Sequence, residues 1–363
     1  MFKDQMTPVE RRKALAEGRE ADRLPIGIIY GLDAHRHCGW VRSQELADGR
    51  SMAMVQKRLY QKFHLDGLGA GHGLHGLGLL YGAEHDMPEH AAISLLSFPL
   101  EKAAQVERLD SEKATLKGDK LARNCFECLE ILREDLGQEV GCGMSFAAPF
   151  TAASGLLGPE KLLMGLLTDT ENIHKLLDFA TRAIISLATP FWQAGFGTSL
   201  ADPLATGDVL SPRAFRSFAQ PYARRVVEAA KPYGQGLVSV HICGDTSRLL
   251  KDVVDCGYSA FSVDNVVKLA KVKKEIGESI PISGNVDPIN VMLLGSPEQV
   301  RAAVRRCFAA AWDSPRGFTI STGCDCAYGT PDENLLAYLD EARICAAYQY
   351  RRDPGYFLQD QGS

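Results

Sequence analysis

Leu237-Val238-Ser239-Val240-His241, continuing into Ile242-Cys243, is where the fold and the chemistry become readable together. The first five residues form a short, apolar, β-branched run, the signature of a buried strand. A helical stretch follows, from Thr246 to about Asp255. Ala260-Phe261-Ser262-Val263 is a second strand, and a helix runs from Val266 to about Ile276. Ile280-Pro281-Ile282-Ser283 precedes a helix opened by Ser296, and Phe318-Thr319-Ile320 precedes a long helix from Pro331. Apolar strands alternating with amphipathic helices specify a parallel sheet with helices packed on it.

Upstream the same alternation is looser, with strands expected at Pro25 to Tyr30, Val140 to Phe146 and Thr198 to Ala201. Helix starts are legible. Thr7-Pro8-Val9-Glu10, Ser296-Pro297-Glu298-Gln299 and Thr330-Pro331-Asp332-Glu333 each place a hydroxyl at the N-cap, Pro at the first helical position and Glu or Gln at the third. Ser211-Pro212 and Gly158-Pro159-Glu160 open two more. Metal-competent and polar residues sit just after several strands: His241 and Cys243, Asp264 and Asn265, Asn285 and Asp287, and Cys324. Several occupied strand ends, rather than one switch point, favour an α/β (β/α)8 TIM barrel over an open doubly wound sheet. With no linker or short-period repeat in view, residues 1–363 read as one domain, with residues 1–20 as an accessory N-terminal segment carrying a helix.

The 363 residues are 45% hydrophobic and 23% charged, with a formal net charge of −5. That is the composition of a globular enzyme, without the basic stripe of a nucleic-acid binder. No apolar run reaches the length of a membrane span, and the opening residues, Met1 to Met6, lack a signal-peptide core. The expectation is a cytoplasmic protein whose 10 cysteines are thiols rather than disulfides.

Strand side chains alternate, so His241 and Cys243 face the same side at the carboxyl end of their strand. Cys324, in Ser321-Thr322-Gly323-Cys324-Asp325-Cys326, follows a later strand and in a closed barrel shares the same mouth. One histidine and two cysteines make a zinc site with three protein ligands and an open position, the arrangement of catalytic rather than structural zinc. The competing reading is ordinary core thiols and a satisfied histidine. Cys125 and Cys128, in a helical run from about Glu112 to Arg133, share one helix face and read as core; Cys326 stands in reserve as a spare ligand. His72 and His75, in a glycine-rich stretch, are candidate proton carriers or a fourth ligand, or incidental loop residues. Asp264 is a candidate to orient a zinc-bound imidazole or to bind substrate, against a helix-capping role. Asn285 offers a donor and an acceptor at the next strand end, against a plain turn.

The segments His241-Ile242-Cys243-Gly244-Asp245, Phe261-Ser262-Val263-Asp264, Gly284-Asn285-Val286-Asp287-Pro288 and Thr322-Gly323-Cys324-Asp325, running on to Gly329-Thr330-Pro331-Asp332-Glu333-Asn334, resemble the uroporphyrinogen decarboxylase superfamily. So do Met6 to Arg11, Asp22 to Pro25 and Pro149 to Ser154. The H-x-C and T-G-C pair is similar to the corrinoid-linked methyltransferase branch. That resemblance implies a (β/α) barrel with zinc on His241, Cys243 and Cys324. It implies methyl transfer between a corrinoid, free as methylcobalamin or carried by a partner protein, and a small-molecule thiol or related substrate. The sequence departs from true decarboxylases, whose first strand leads into an arginine-rich M-R-Q-A-G-R segment. Here Ile28 to His37 holds one arginine, Arg36, too few for several carboxylates. It also lacks the acidic patch that many methyltransferase relatives carry before Gly82-Ala83, which leaves the acceptor open. A metal-independent decarboxylase and a non-catalytic corrinoid-binding subunit are the alternatives.

Overall fold

Seven parallel strands form one sheet in an order that follows the chain. They are β1 (Gly67–Gly71), β2 (Gly141–Ala147), β3 (Gly197–Ala201), β4 (Val238–Ile242), β5 (Phe261–Val263), β6 (Ile282–Val286) and β7 (Phe318–Thr322). The computed structural model describes residues 3–89, 91–234 and 238–347; Leu237, expected to begin β4, lies outside them, as do Met1 and Phe2. Helices connect successive strands, the longest being Lys120–Leu136, Thr170–Gln193 and Pro297–Ala311; Gly49–Phe63 precedes β1 and Asp332–Ala346 follows β7. Outward strand residues such as Phe146, Leu200, Val240, Phe261 and Ile320 are buried beneath this helical layer. Cys125 and Cys128, on Lys120–Leu136, belong to the same core.

The expected strand Pro25 to Tyr30 is an extended segment instead. It makes one parallel bridge to β7, Ile26 to Ile320. At the sheet's other edge, Ile26 N–H donates to the Asp66 carboxylate at 2.9 Å, one residue before β1. Both edges of the curled sheet therefore reach this segment, which makes no ladder to β1 among the described residues. Pro25 has no N–H to give a ladder, and a carboxylate supplies the closing acceptor in place of a carbonyl.

β1, in contrast, gave no strand signal. Its sequence, Gly-Leu-Gly-Ala-Gly, has no β-branched residue. The glycines answer to close packing: a Cβ on Gly69 would lie 3.0 Å from the Gly143 carbonyl oxygen, and one on Gly143 would lie 2.9 Å from that of Gly197.

Some boundaries move inward. The run expected from Glu112 to Arg133 is a helix only from Lys120, capped by Asp119, after a separate turn at Ser111–Lys113. The helices expected from Thr246 and Val266 begin at Leu250 and Leu269, because turns after the strand ends occupy the first residues. Thr7 and Ser296 form full capping boxes. Thr330 does not cap its helix: its hydroxyl donates to the Ala327 carbonyl, and Pro331 takes the N-cap position.

Helix Pro8–Ala16 is tied to the bottom of the sheet by buried charge pairs. Arg11 bonds Asp22 at 2.8 Å, and Arg23 holds Asp66 and Asp4 at 2.7 Å. Among the described residues no helix is long and apolar enough to cross a membrane.

Candidate metal centre

β4 alternates strictly. Val238, Val240 and Ile242 are buried outward, so Ser239 and His241 face the concave side. The chain leaves β4 through Cys243 and turns at Gly244, whose φ of +75° is a left-handed value that favours glycine. A Cβ there would also lie 2.6 Å from Asp208 Oδ2 and 2.7 Å from Thr206 Oγ1. Three strands on, β7 ends at Thr322 and delivers Cys324 after Gly323, whose N–H donates to the Val286 carbonyl.

These two strand ends converge. Cys243 Sγ lies 3.3 Å from His241 Nε2 and 3.7 Å from Cys324 Sγ. Among the described residues, His241, Cys243 and Cys324 are the one set of three or more His, Cys, Asp or Glu side chains with ligand atoms all within 4.8 Å. All three are half-buried. The two sulfurs lie within hydrogen-bond reach, and either can donate to the other. That contact, helped by His241, pushes the Cys324 thiol down against the opposing effect of burial. The same contact with Cys324, reinforced by burial, holds the Cys243 proton far above the ordinary thiol range.

The surrounding residues have definite tasks. Asp264 does not reach the imidazole. Its Oδ2 accepts the Gly244 N–H at 2.9 Å and its Oδ1 the Val266 N–H at 3.0 Å, so it clamps the turn that carries Cys243. Asn285 donates through Nδ2 to the carbonyls of Asp264, at 2.9 Å, and Val267, at 2.6 Å, fixing that same loop from β6. His241 Nδ1 instead meets the Ser262 hydroxyl at 3.0 Å, a partner that sequence reasoning passed over because serine is unremarkable on a strand.

His72 is not part of the cluster of His241, Cys243 and Cys324. It is buried, its Nε2 lies 2.6 Å from Asp119, and its ring lies against Gly76, where there is no room for a Cβ. Its partner's carboxylate also caps helix Lys120–Leu136. His75 is half-buried just before the short helix Gly76–Leu80, and burial pushes its imidazole below the usual range. Cys326 is fully buried with its thiol pushed up by burial, and it is not among the clustered ligands. Arg36 is committed to Asp33 at 2.9 Å, to Asp332 at 2.7 Å and to the Thr330 carbonyl at 2.7 Å.

The chain matches the family described as Uroporphyrinogen decarboxylase (URO-D) over residues 7–344. A methylated-thiol–coenzyme M methyltransferase of Methanosarcina mazei is 35% identical over 53% of this chain; the match spans 50% of that relative's length. A methylcobamide:CoM methyltransferase of Methanosarcina barkeri is 27% identical over 90% of this chain and 95% of its own. A uroporphyrinogen decarboxylase of Oryza sativa is 28% identical over 60% of this chain and 56% of its own. Among solved structures, a methyltransferase from Methanosarcina mazei superimposes with a TM-score of 0.79 at 24% identity, covering 94% of this chain and 99% of the other, which establishes a shared fold.

Proposed function

We propose, for a chain that belongs to the uroporphyrinogen decarboxylase family, that it is a zinc-dependent methyltransferase moving a methyl group between a corrinoid and a thiol or related small molecule. The observation that carries this is the convergence of His241, Cys243 and Cys324. Tetrahedral zinc with ordinary bond lengths sets its sulfur ligands about 3.8 Å apart and a sulfur and nitrogen about 3.5 Å apart. The separations of 3.7 Å and 3.3 Å fit such an ion. One neutral imidazole and two cysteine sulfurs are also the donor set that zinc takes in enzymes with an open fourth position.

Zinc held there supplies a Lewis acid that makes a coordinated thiol a thiolate at neutral pH. The protein's own contribution is placement. The contact between the sulfurs favours loss of the first thiol proton and opposes loss of the second, which the metal must displace. Asp264 and Asn285 hold the Cys243 turn through backbone contacts, acting as positioning residues rather than on the methyl group. His72, bonded to Asp119, stays a candidate proton carrier, as does His75. The corrinoid, free or protein-borne, is supported by similarity to methylcobamide methyltransferases along nearly the whole chain. The 10 cysteines, none paired in the fold, suit a reducing cytoplasm.

The decarboxylase alternative needs cationic groups for substrate carboxylates, and the one arginine after the first extended segment is already spent on Asp33 and Asp332. The test combines metal analysis with a methylcobalamin assay. Stoichiometric zinc, and cobalt(I) appearing when thiols are added, support the transferase. Tight corrinoid binding without demethylation across a broad thiol panel supports a binding subunit. Absence of zinc supports the lyase.

A further inference from the structure

We infer that Ser262 is the residue that sets the orientation and tautomer of the metal-binding imidazole, and that a neutral hydroxyl in this place keeps the centre receptive to a third, anionic sulfur ligand. The inference rests on the zinc reading above. β4 and β5 pair in parallel with His241 opposite Ser262, so the hydroxyl and the ring share the concave face by register alone. Ser262 Oγ lies 3.0 Å from His241 Nδ1, while Nε2 of the same ring lies 3.3 Å from Cys243 Sγ. With Nδ1–H donating to the hydroxyl, the lone pair is on Nε2, on the side of the sulfurs. Histidine ligands commonly donate their second N–H to a carboxylate or carbonyl, and losing that partner typically weakens metal binding. Here Asp264, which follows β5, has both carboxylate oxygens engaged by the Gly244 and Val266 backbone N–H groups. β5 and the residue after it therefore position both residues at the end of β4: Ser262 the ring of His241, and Asp264 the turn of Cys243.

The charge count gives the choice of hydroxyl a consequence. Zinc(II) with two thiolates is neutral, and a bound substrate thiolate makes the centre singly negative. A carboxylate hydrogen-bonded to the imidazole would add another negative charge in a half-buried site and oppose that third sulfur.

The test uses the full-length protein. Zinc affinity is measured by competition with a chromophoric chelator for the wild type and for Ser262→Ala, Ser262→Thr and Ser262→Asp. We expect Ser262→Ala to lose about 10–100-fold in affinity, with an unchanged melting temperature for the metal-free protein, and Ser262→Thr to stay close to wild type. Ser262→Asp is expected to keep zinc but to bind 2-mercaptoethanol at least tenfold more weakly, read from the sulfur-to-cobalt absorption of the cobalt(II)-substituted protein. Nitrogen-15 NMR of the zinc-loaded wild type should find the His241 proton on Nδ1, a readout that does not depend on any variant folding. Ser262→Ala with wild-type zinc affinity, or a proton on Nε2, overturns this inference alone. A wild type that takes up no zinc overturns the metal reading and this inference with it.

Discussion

At the scale of single residues, the coupled sulfurs make a measurable prediction. Metal binding requires thiolates, and protons displaced by the metal appear in solution. Because the contact between the sulfurs pushes one thiol down and the other up, zinc uptake at pH 7 should release fewer than two protons per site. A weakly buffered indicator titration checks this; release near two would contradict it. Cys243→Ser should abolish tight zinc binding and lower methyl-transfer kcat/KM by more than about a hundredfold, read by metal analysis and the methylcobalamin assay. The pairing of His241 with Cys243 was legible because alternation along one strand places them together with no tertiary information. Ser262 was not legible, because its role depends on the register between two strands. Asp264 drew attention by its charge, yet its oxygens are taken by backbone groups.

At the scale of elements, the turns after β4 and β5 act as one clamped unit. Asp264→Ala leaves the Gly244 and Val266 amides without a partner, at a cost of about 1–3 kcal/mol each where they are desolvated. Asp264→Asn retains an acceptor and should lose less; thermal unfolding of the two variants compares them. The end of β3 carries another buried carboxylate. Asp202 Oδ1 accepts the Thr151 hydroxyl at 2.6 Å and its N–H at 3.2 Å, linking β3 to helix Pro149–Leu157. Burial pushes Asp202 up to about 7 from the usual 3.8, against the bonds from Thr151. The folded state therefore holds this proton more tightly than the unfolded chain, so its contribution to stability declines as pH rises from about 4 to about 7. Asp202→Asn should remove that decline, and melting temperatures measured across this range for both proteins test it. The elements legible in sequence were those with strong local signals, such as β4, β5, β7 and the capped helices at Pro8 and Pro297. β1 was silent because its glycines answer to neighbouring strands, and Thr330 misled because a capping sequence turned its hydroxyl backwards to Ala327.

At the scale of the whole molecule, the curled parallel sheet is what allows residues 81 positions apart, Cys243 and Cys324, to touch. β5 and β6 lie between their strands, so the contact exists only because the sheet is concave and both chain ends rise from its carboxyl edge. The parallel order of the curled sheet was readable from the βα alternation. The way its two edges come together was not, because segment 25–30 joins β7 by one bridge and reaches the β1 side through the Asp66 side chain. The most direct measurement is zinc K-edge X-ray absorption on the purified protein, before and after adding 2-mercaptoethanol. The account predicts two sulfurs at about 2.3 Å and one imidazole nitrogen at about 2.0–2.1 Å, with a light-atom fourth ligand, and a third sulfur once the thiol is present. A zinc shell of nitrogen and oxygen only, or a sulfur count that stays at two in Cys243→Ser, would contradict it.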